Sequence, residues 1–351
     1  MTCKVLYYFI FITTVFLDKV ILANVVVSSS TVPIVYCLDD KYVMPTIVSM
    51  ESAVRNMNED SFYKFILFVP NNFTQDSVGK FTIFQKKYSD KCDVTIMRMS
   101  DEYSKYPPEF YMLFIPDKLK DRFEKVIYIH GDTIIRGDLS ELYKTDMEGK
   151  YFAGVCDCRD ENNIKRVKEI NTQLCEINNK LKDCLHKGKL YINSGVIIFN
   201  VSRLAEKNIP FKDILISIFE NRIALSACDI INICCSSGDK KRIPFKYNIY
   251  LKNYNLYKGI ENFMSRKDIE TFKDKTEYDD DELMADLKDA KDKPVIVHFM
   301  GEHKPWNSRI GCMKAYYDEW LSIFNEIKRE YGFKDLKTKR KCCCGHIGLR
   351  S

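Results

Sequence analysis

The sequence predicts an α/β fold: a mostly parallel sheet with helices on both faces, in a single domain. Two observations carry this. Short, continuous apolar runs recur through the first half, as strands buried on both faces require. Stretches with apolar residues at helical spacing lie between them, and such alternation builds parallel sheets by right-handed crossovers. The 351 residues, 46% hydrophobic and 29% charged, suffice for one large core.

The elements follow in order. Residues 33–38 are the first apolar run and the first predicted strand. Residues 45–57 read as a helix opened by Pro45, whose fixed φ suits a first turn. A second strand is predicted over 64–69, then a helix over 74–88 with Thr74 as its N-cap. Residues 93–97 give a third strand, 110–119 a helix and 125–129 a fourth strand. The second half is less regular. Strands are predicted over 150–155, 194–200 and 294–299, and helices over 211–219 and 229–235. Residues 162–185 form a polar helical arm, and 247–292 are polar, aromatic and acidic without clear periodicity. In 312–331, Met313, Tyr316, Tyr317, Trp320, Phe324 and Ile327 share one helix face, a packing stripe.

Charge and cysteines limit the partners. The net charge of +5 comes largely from the basic tail over 334–351, and no basic stripe runs through the body, so nucleic acid is not expected. The tail is a solvated end, or its Cys342–Cys344 run is acylated beside the basic residues. Fourteen cysteines are scattered without zinc-finger spacing. In an oxidising compartment some would pair; otherwise they serve as small buried apolar residues. Residues 1–23 carry a basic start, an apolar stretch and a small residue at Ala23. That is the pattern of a cleavable signal peptide, or of a signal anchor if the segment is retained. The secretory pathway, as ER or Golgi lumen or secretion, is the expected location, and a membrane is a partner only through an uncleaved anchor or an acylated tail. Asn72-Phe-Thr and Asn200-Val-Ser match the glycan acceptor pattern. Asn72 lies in an expected loop, whereas Asn200 ends an expected strand.

Ligands of such sheets bind beyond the carboxyl ends of the strands. Three strand ends stand out. The first reads Cys37-Leu38-Asp39-Asp40-Lys41-Tyr42, with an acceptor suited to a base edge and a ring suited to stacking, or simply a helix cap. The second ends in His130-Gly131-Asp132. Residues two apart on an extended chain point the same way, so His130 and Asp132 can meet one ion; alternatively Gly131 bends a turn that Asp132 caps. The third reads His298-Phe299-Met300-Gly301-Glu302-His303-Lys304-Pro305-Trp306. It offers an imidazole for a metal, a glycine for close backbone approach and a point charge for phosphate.

These motifs, with Phe114-Ile115-Pro116, Gly137-Asp138-Leu139, Ile192-Asn193-Ser194-Gly195-Val196 and Asp229-Ile230-Ile231-Asn232, agree in order and spacing with one family. From Pro33 to Trp306 the chain resembles glycosyltransferase family 8, the glycogenin and lipopolysaccharide galactosyltransferase family. The resemblance implies a GT-A, Rossmann-like domain over 31–308, a UDP-sugar donor, Mn²⁺ and transfer of a hexose with retention of configuration to a glycan, lipid or protein acceptor. Carried over, Asp39 and Tyr42 bind the base, His130, Asp132 and His298 hold the ion, and Gly301 and Lys304 meet the diphosphate. Asp157 and Asn193 face the sugar. The chain departs from the family's pattern at three places. His130 stands where the family has the first Asp of Asp-x-Asp, Met112 where it has Arg, and Ala227-Cys228 where it has Asp-Gln. These changes leave two readings: an active transferase, or a relative that binds a nucleotide, sugar or protein without turnover.

Overall fold

A computed structural model of the protein describes residues 30–157, 161–178, 190–250, 279–302, 304–307 and 313–336. The expected signal segment, the cysteine-rich end of the tail and parts of the polar arm and of 247–292 lie outside these residues.

Seven strands form the main sheet in the order β3-β2-β1-β4-β7-β6-β8. They are β1 (Ser30–Cys37), β2 (Ser61–Val69), β3 (Cys92–Arg98), β4 (Lys125–Ile129), β6 (Phe152–Cys156), β7 (Ile192–Asn200) and β8 (Lys240–Arg242). The pairs β1–β2, β2–β3, β1–β4 and β6–β8 are parallel. Only β7 runs the other way among these strands, antiparallel to both β4 and β6. A separate two-stranded ribbon pairs β5 (Thr133–Ile135) with β9 (Ile296–His298), antiparallel. The expected strand at 294–299 therefore joins this ribbon and not the main sheet. Charged β8 and three-residue β5 carried no apolar run that would announce them.

Two apolar clusters flank the sheet. One gathers Ile34, Phe65, Phe84, Ile127 and Ile198 with Trp320 and Phe324 of the helix Lys314–Ile327. The other gathers Val35, Phe68, Tyr128 and Phe199 with Met112, Ile197 and Ile230. Alternating residues of each strand thus feed opposite faces, as the pleat dictates. Thr74 caps the helix Gln75–Lys87 by accepting from Ser77 N. The expected helix at 110–119 is instead a 3-10 turn, Pro108–Phe114, followed by the short α-helix Ile115–Leu119. Pro116 lacks the amide that would extend a regular helix across the junction.

The C-terminal helix is tied to the body by charge as well as by rings. Glu51 is fully buried in the helix Val43–Arg55. Its Oε1 accepts from Tyr88 OH at 2.6 Å, Lys87 Nζ at 2.9 Å and Arg55 Nη2 at 3.2 Å, and its Oε2 accepts from Tyr331 OH at 3.4 Å. Arg55 also reaches Glu326 at 2.7 Å, and Lys87 reaches Glu330 at 2.8 Å.

Candidate functional site

The reversal of β7 decides where the site lies. Asp39 follows β1, His130 and Asp132 follow β4, and Asp157 follows β6, all at the carboxyl edge. Because β7 is antiparallel, its first residues, including Asn193, arrive at that same edge. The ribbon then delivers His298 opposite Thr133. Its placement is fixed by Phe299 N donating to Asp132 O at 2.9 Å and His298 N donating to Ile249 O at 2.7 Å.

Two glycines make room. A Cβ on Gly195 would lie 2.2 Å from His298 Cε1, so the imidazole rests directly on that backbone. A Cβ on Gly131 would lie 2.3 Å from Thr46 Oγ1. Gly131 therefore serves close packing, and a left-handed bend is not its role, since it is absent from the positive-φ glycines. Gly301 is the reverse case: its φ is +92° and nothing stands within 4 Å of a Cβ there. The backbone conformation demands that glycine.

His130, Asp132 and His298 converge, with one ligand atom from each inside a 4.8 Å sphere of mutual separation. Asp132 Oδ1 faces both rings, 3.4 Å from His298 Nε2 and 3.9 Å from His130 Nδ1. Its other oxygen, Oδ2, accepts from Lys304 Nζ, which also donates to Phe299 O at 2.7 Å. Burial would raise the Asp132 carboxyl, but His298, Lys304 and His130 outweigh it and hold it well below the usual carboxylate range. Burial, with His298 and Lys304 beside it, pushes the His130 imidazole down to about 4, so it is neutral at pH 7.

A chain of amides orients His298. Tyr250 OH donates to Asp157 Oδ1 at 3.1 Å, and Asn193 Nδ2 donates to Asp157 Oδ2 at 3.3 Å. Asn193 Oδ1 accepts from Gly195 N at 2.8 Å and from Asn248 Nδ2 at 2.9 Å. Asn248 has its amide nitrogen committed there, so its Oδ1, 3.1 Å from His298 Nδ1, must accept from that ring nitrogen. In the neutral ring the lone pair is thereby left on Nε2, which is buried without a hydrogen-bond partner and 3.4 Å from the Asp132 carboxylate. A bare lone pair facing a carboxylate oxygen is the arrangement a cation resolves, and the donor set fits a divalent ion. Asn248 and Tyr250 were not singled out in the sequence, because they lie in the stretch without periodicity. The isolated bridge between Ile249 and Val297 places them.

Beside the cluster opens a cavity of about 250 Å³, lined by Cys37, Asp39, Tyr42, Glu109, Tyr128, His130 and Asp132 among others. Asp39 Oδ1 accepts from Lys41 N at 3.0 Å and Tyr42 N at 3.3 Å, so it does cap the following 3-10 turn. Tyr42 is 36% exposed, and its ring meets Trp306 edge-on at 6.1 Å. Burial, then Asp132, Asp39 and Glu109, push its phenol up to about 12. A larger hollow of about 760 Å³, lined by Lys150, Lys240, Arg242 and Asp286 among others, shares no residue with the strand-end cluster.

Apart from His130, the departures from the family pattern are apolar and buried. Met112 has no exposed surface and Ala227 has 3%. Cys228 Sγ donates to Ile192 O at 3.4 Å, directly beside Asn193. Asp229 is structural: it completes a capping box with Ser226 and accepts from Tyr191 OH at 2.6 Å.

A mostly parallel sheet with a His/Asp/His cluster and a cavity at its carboxyl edge matches the GT-A architecture of glycosyltransferases. The chain belongs to glycosyl transferase family 8, whose profile matches residues 33–309. It is 25% identical to general stress protein A of Bacillus subtilis over 62% of this chain and 65% of that one. It is 22% identical to lipopolysaccharide 1,2-glucosyltransferase of Escherichia coli over 82% of this chain and 76% of that one. Among solved structures it resembles galactosyltransferase LgtC, in complex with donor and acceptor sugar analogues, at TM-score 0.62 and 17% identity, covering 85% of this chain and 99% of that one. It resembles the bifunctional glycosyltransferase WbbM at TM-score 0.60 and 19% identity, covering 86% of this chain but only 51% of that one. No helix among the described residues is long and apolar enough to cross a membrane. Among the described residues Cys37, Cys92, Cys156, Cys175, Cys228, Cys234 and Cys235 form no disulfide, and most are buried. Asn72 is exposed, whereas the Asn200 amide caps the next helix and donates to Lys150 O at 3.1 Å, which opposes its glycosylation.

Proposed function

We propose that the chain transfers a hexose from a UDP-sugar to a glycan, lipid or protein acceptor in the secretory pathway, with retention of configuration and with a divalent ion. The observation that carries this is the convergence of His298 and Lys304 on Asp132, which with His130 lines the 250 Å³ cavity. In this reading Tyr42 stacks on the base and Asp39 accepts from its edge. His130, Asp132 and His298 would hold the ion, with Mn²⁺ as the family's reference. A bound ion would supply positive charge to the diphosphate oxygens of the leaving group. Lys304 reaches the same oxygens as a positive charge fixed in place beforehand. Asp157 and Asn193, locked together and to Tyr250, orient sugar hydroxyls against the leaving group. The experiment is a panel of UDP-hexoses with and without divalent metal, followed as product and as free sugar. Transfer that vanishes on chelation and returns on metal addition is expected. A folded, metal-loaded protein inert toward every donor would defeat the proposal.

A second reading has an observation of its own. The buried Met112, Ala227 and Cys228 replace charged and amide groups with apolar ones, Cys228 beside Asn193, which suits a binding module without turnover. UDP would then raise Tm without product. The His130→Asp/Ala227→Asp double variant would then gain transfer activity.

A further inference from the structure

We propose that His130, Asp132 and His298 form a site selective for an imidazole-preferring divalent ion, Zn²⁺ or Co²⁺, over the harder ions Mn²⁺ and Mg²⁺. This rests on the reading above, in which an ion and a diphosphate meet here. The donor set comes first. Two ring nitrogens and one carboxylate oxygen face a common point. Mg²⁺ and Mn²⁺ favour carboxylate, carbonyl and water oxygens, whereas imidazole suits the later ions, and the affinity order climbs from Mn²⁺ through Co²⁺. Zn²⁺ binds imidazole nitrogens at about 2.0–2.1 Å, so a small inward movement closes a 4.8 Å set around one ion.

The charge comes second. Asp132 divides its two oxygens: Oδ1 looks toward the rings and Oδ2 is taken by Lys304. That ammonium is pinned a second time by Phe299 O at 2.7 Å. One positive charge therefore cancels the one negative charge among the groups around the ion. A hard ion held mainly by anionic oxygen loses most by this cancellation, and an ion held by ring nitrogen loses least. The described residues add no second carboxylate to the group.

The third observation is the framework behind His298. Asp157, Asn193 and Asn248 form a hydrogen-bonded chain that ends on His298 Nδ1 and leaves Nε2 buried and unpartnered. A framework of this kind fixes ring and tautomer for ligation through nitrogen. Cation and diphosphate then bind with mutual reinforcement, because the cluster supplies little negative charge of its own and the nucleotide supplies the rest.

The test titrates Zn²⁺, Co²⁺, Mn²⁺ and Mg²⁺ into chelator-stripped full-length protein by calorimetry, without nucleotide. Zn²⁺ and Co²⁺ are expected to bind one site at least about tenfold more tightly than Mn²⁺. The Co²⁺ form should show ligand-field absorption without a thiolate charge-transfer band, which separates this site from the cysteines. His298→Ala should abolish that signal. His130→Asp should move the Mn²⁺-to-Zn²⁺ affinity ratio toward Mn²⁺ by about tenfold or more. Should His130→Asp fail to fold, Lys304→Met is expected to tighten Mn²⁺ binding by roughly tenfold. Tighter Mn²⁺ than Zn²⁺ in the native chain, a thiolate band, or ratios indifferent to these substitutions would overturn the proposal. These readings need no sugar donor. A UDP panel with no Tm shift under any ion would instead sink the transferase reading and leave the ion order standing.

Discussion

Two buried carboxylates in this protein have opposite surroundings. Glu51 is closed: Tyr88, Lys87, Arg55 and Tyr331 fill its two oxygens, and further acids balance the cations. Asp132 is open: one oxygen takes Lys304, and the other faces two imidazoles outside hydrogen-bonding geometry, with an orphan ring nitrogen among them. The first arrangement is what a fold needs from a buried charge, since every polar valence left unmet costs stability. The second keeps a valence unmet, and such exceptions concentrate where a ligand completes the set. Burial alone does not tell the two apart; satisfaction does.

The largest expected effect falls on the open site. Asp132→Asn should lower sugar transfer by roughly a thousandfold while the protein stays folded, as read by product formation alongside thermal melting. Global unfolding would mean that Asp132 belongs with Glu51 after all. The converse follows for Glu51→Ala. It should cost about 3 kcal/mol in chemical denaturation, because two tyrosine hydroxyls and two partly buried cations lose their shared acceptor and a cavity is left, with ion binding at the strand ends unchanged. Next in size is Asn248→Leu. Removing the acceptor for His298 Nδ1 should weaken ion binding by about 10–100-fold with little change in melting, and Asn248→Asp should recover part of it.

Lys240 is the intermediate case and gives the smallest effect. It is 4% exposed, and its ammonium donates to Asn232 O at 3.2 Å and Oδ1 at 3.3 Å, both neutral acceptors. Burial pushes its pKa down to about 8. An unfolded lysine keeps its proton to about pH 10.4, so between these values the unfolded state holds more protons and stability rises with pH. Lys240→Met should flatten a rise on the order of 1–2 kcal/mol between pH 8 and 10 in denaturation curves. A native chain already flat over that range would place Lys240 with the satisfied groups.

Much of this was legible in the sequence because strands buried on both faces write themselves as apolar runs. β4 appears at its predicted bounds, and β1, β2, β3 and β7 lie within a few residues of theirs. Asp39, His130, Asp132 and His298 were found because each terminates such a run or lies within a few residues of its end. Asn248 and Tyr250 carried no such signal: they are held by one backbone bridge to β9, a contact no local pattern encodes. Charged β8 is a strand by pairing with β6 and not by propensity. The capping duty of Asp39 and the base-binding role assigned to it were both written in one residue, and the structure displays the first.

The reversed strand has a further consequence. Along β7, odd and even residues look to opposite faces of the sheet, and its bonds to β4 set Val196 against Ile129. Sliding that alignment by a single step would exchange the two faces, turning Asn193 away from Asp157 and the glycine beneath His298 away from its ring. Val196 and Ile198 would trade places with Ile197 and Phe199 between the two apolar clusters, so the buried faces hold the very alignment that the strand-end groups need. One alignment thus serves core and strand ends together, and a chain that packs these residues correctly assembles the polar cluster in the same step.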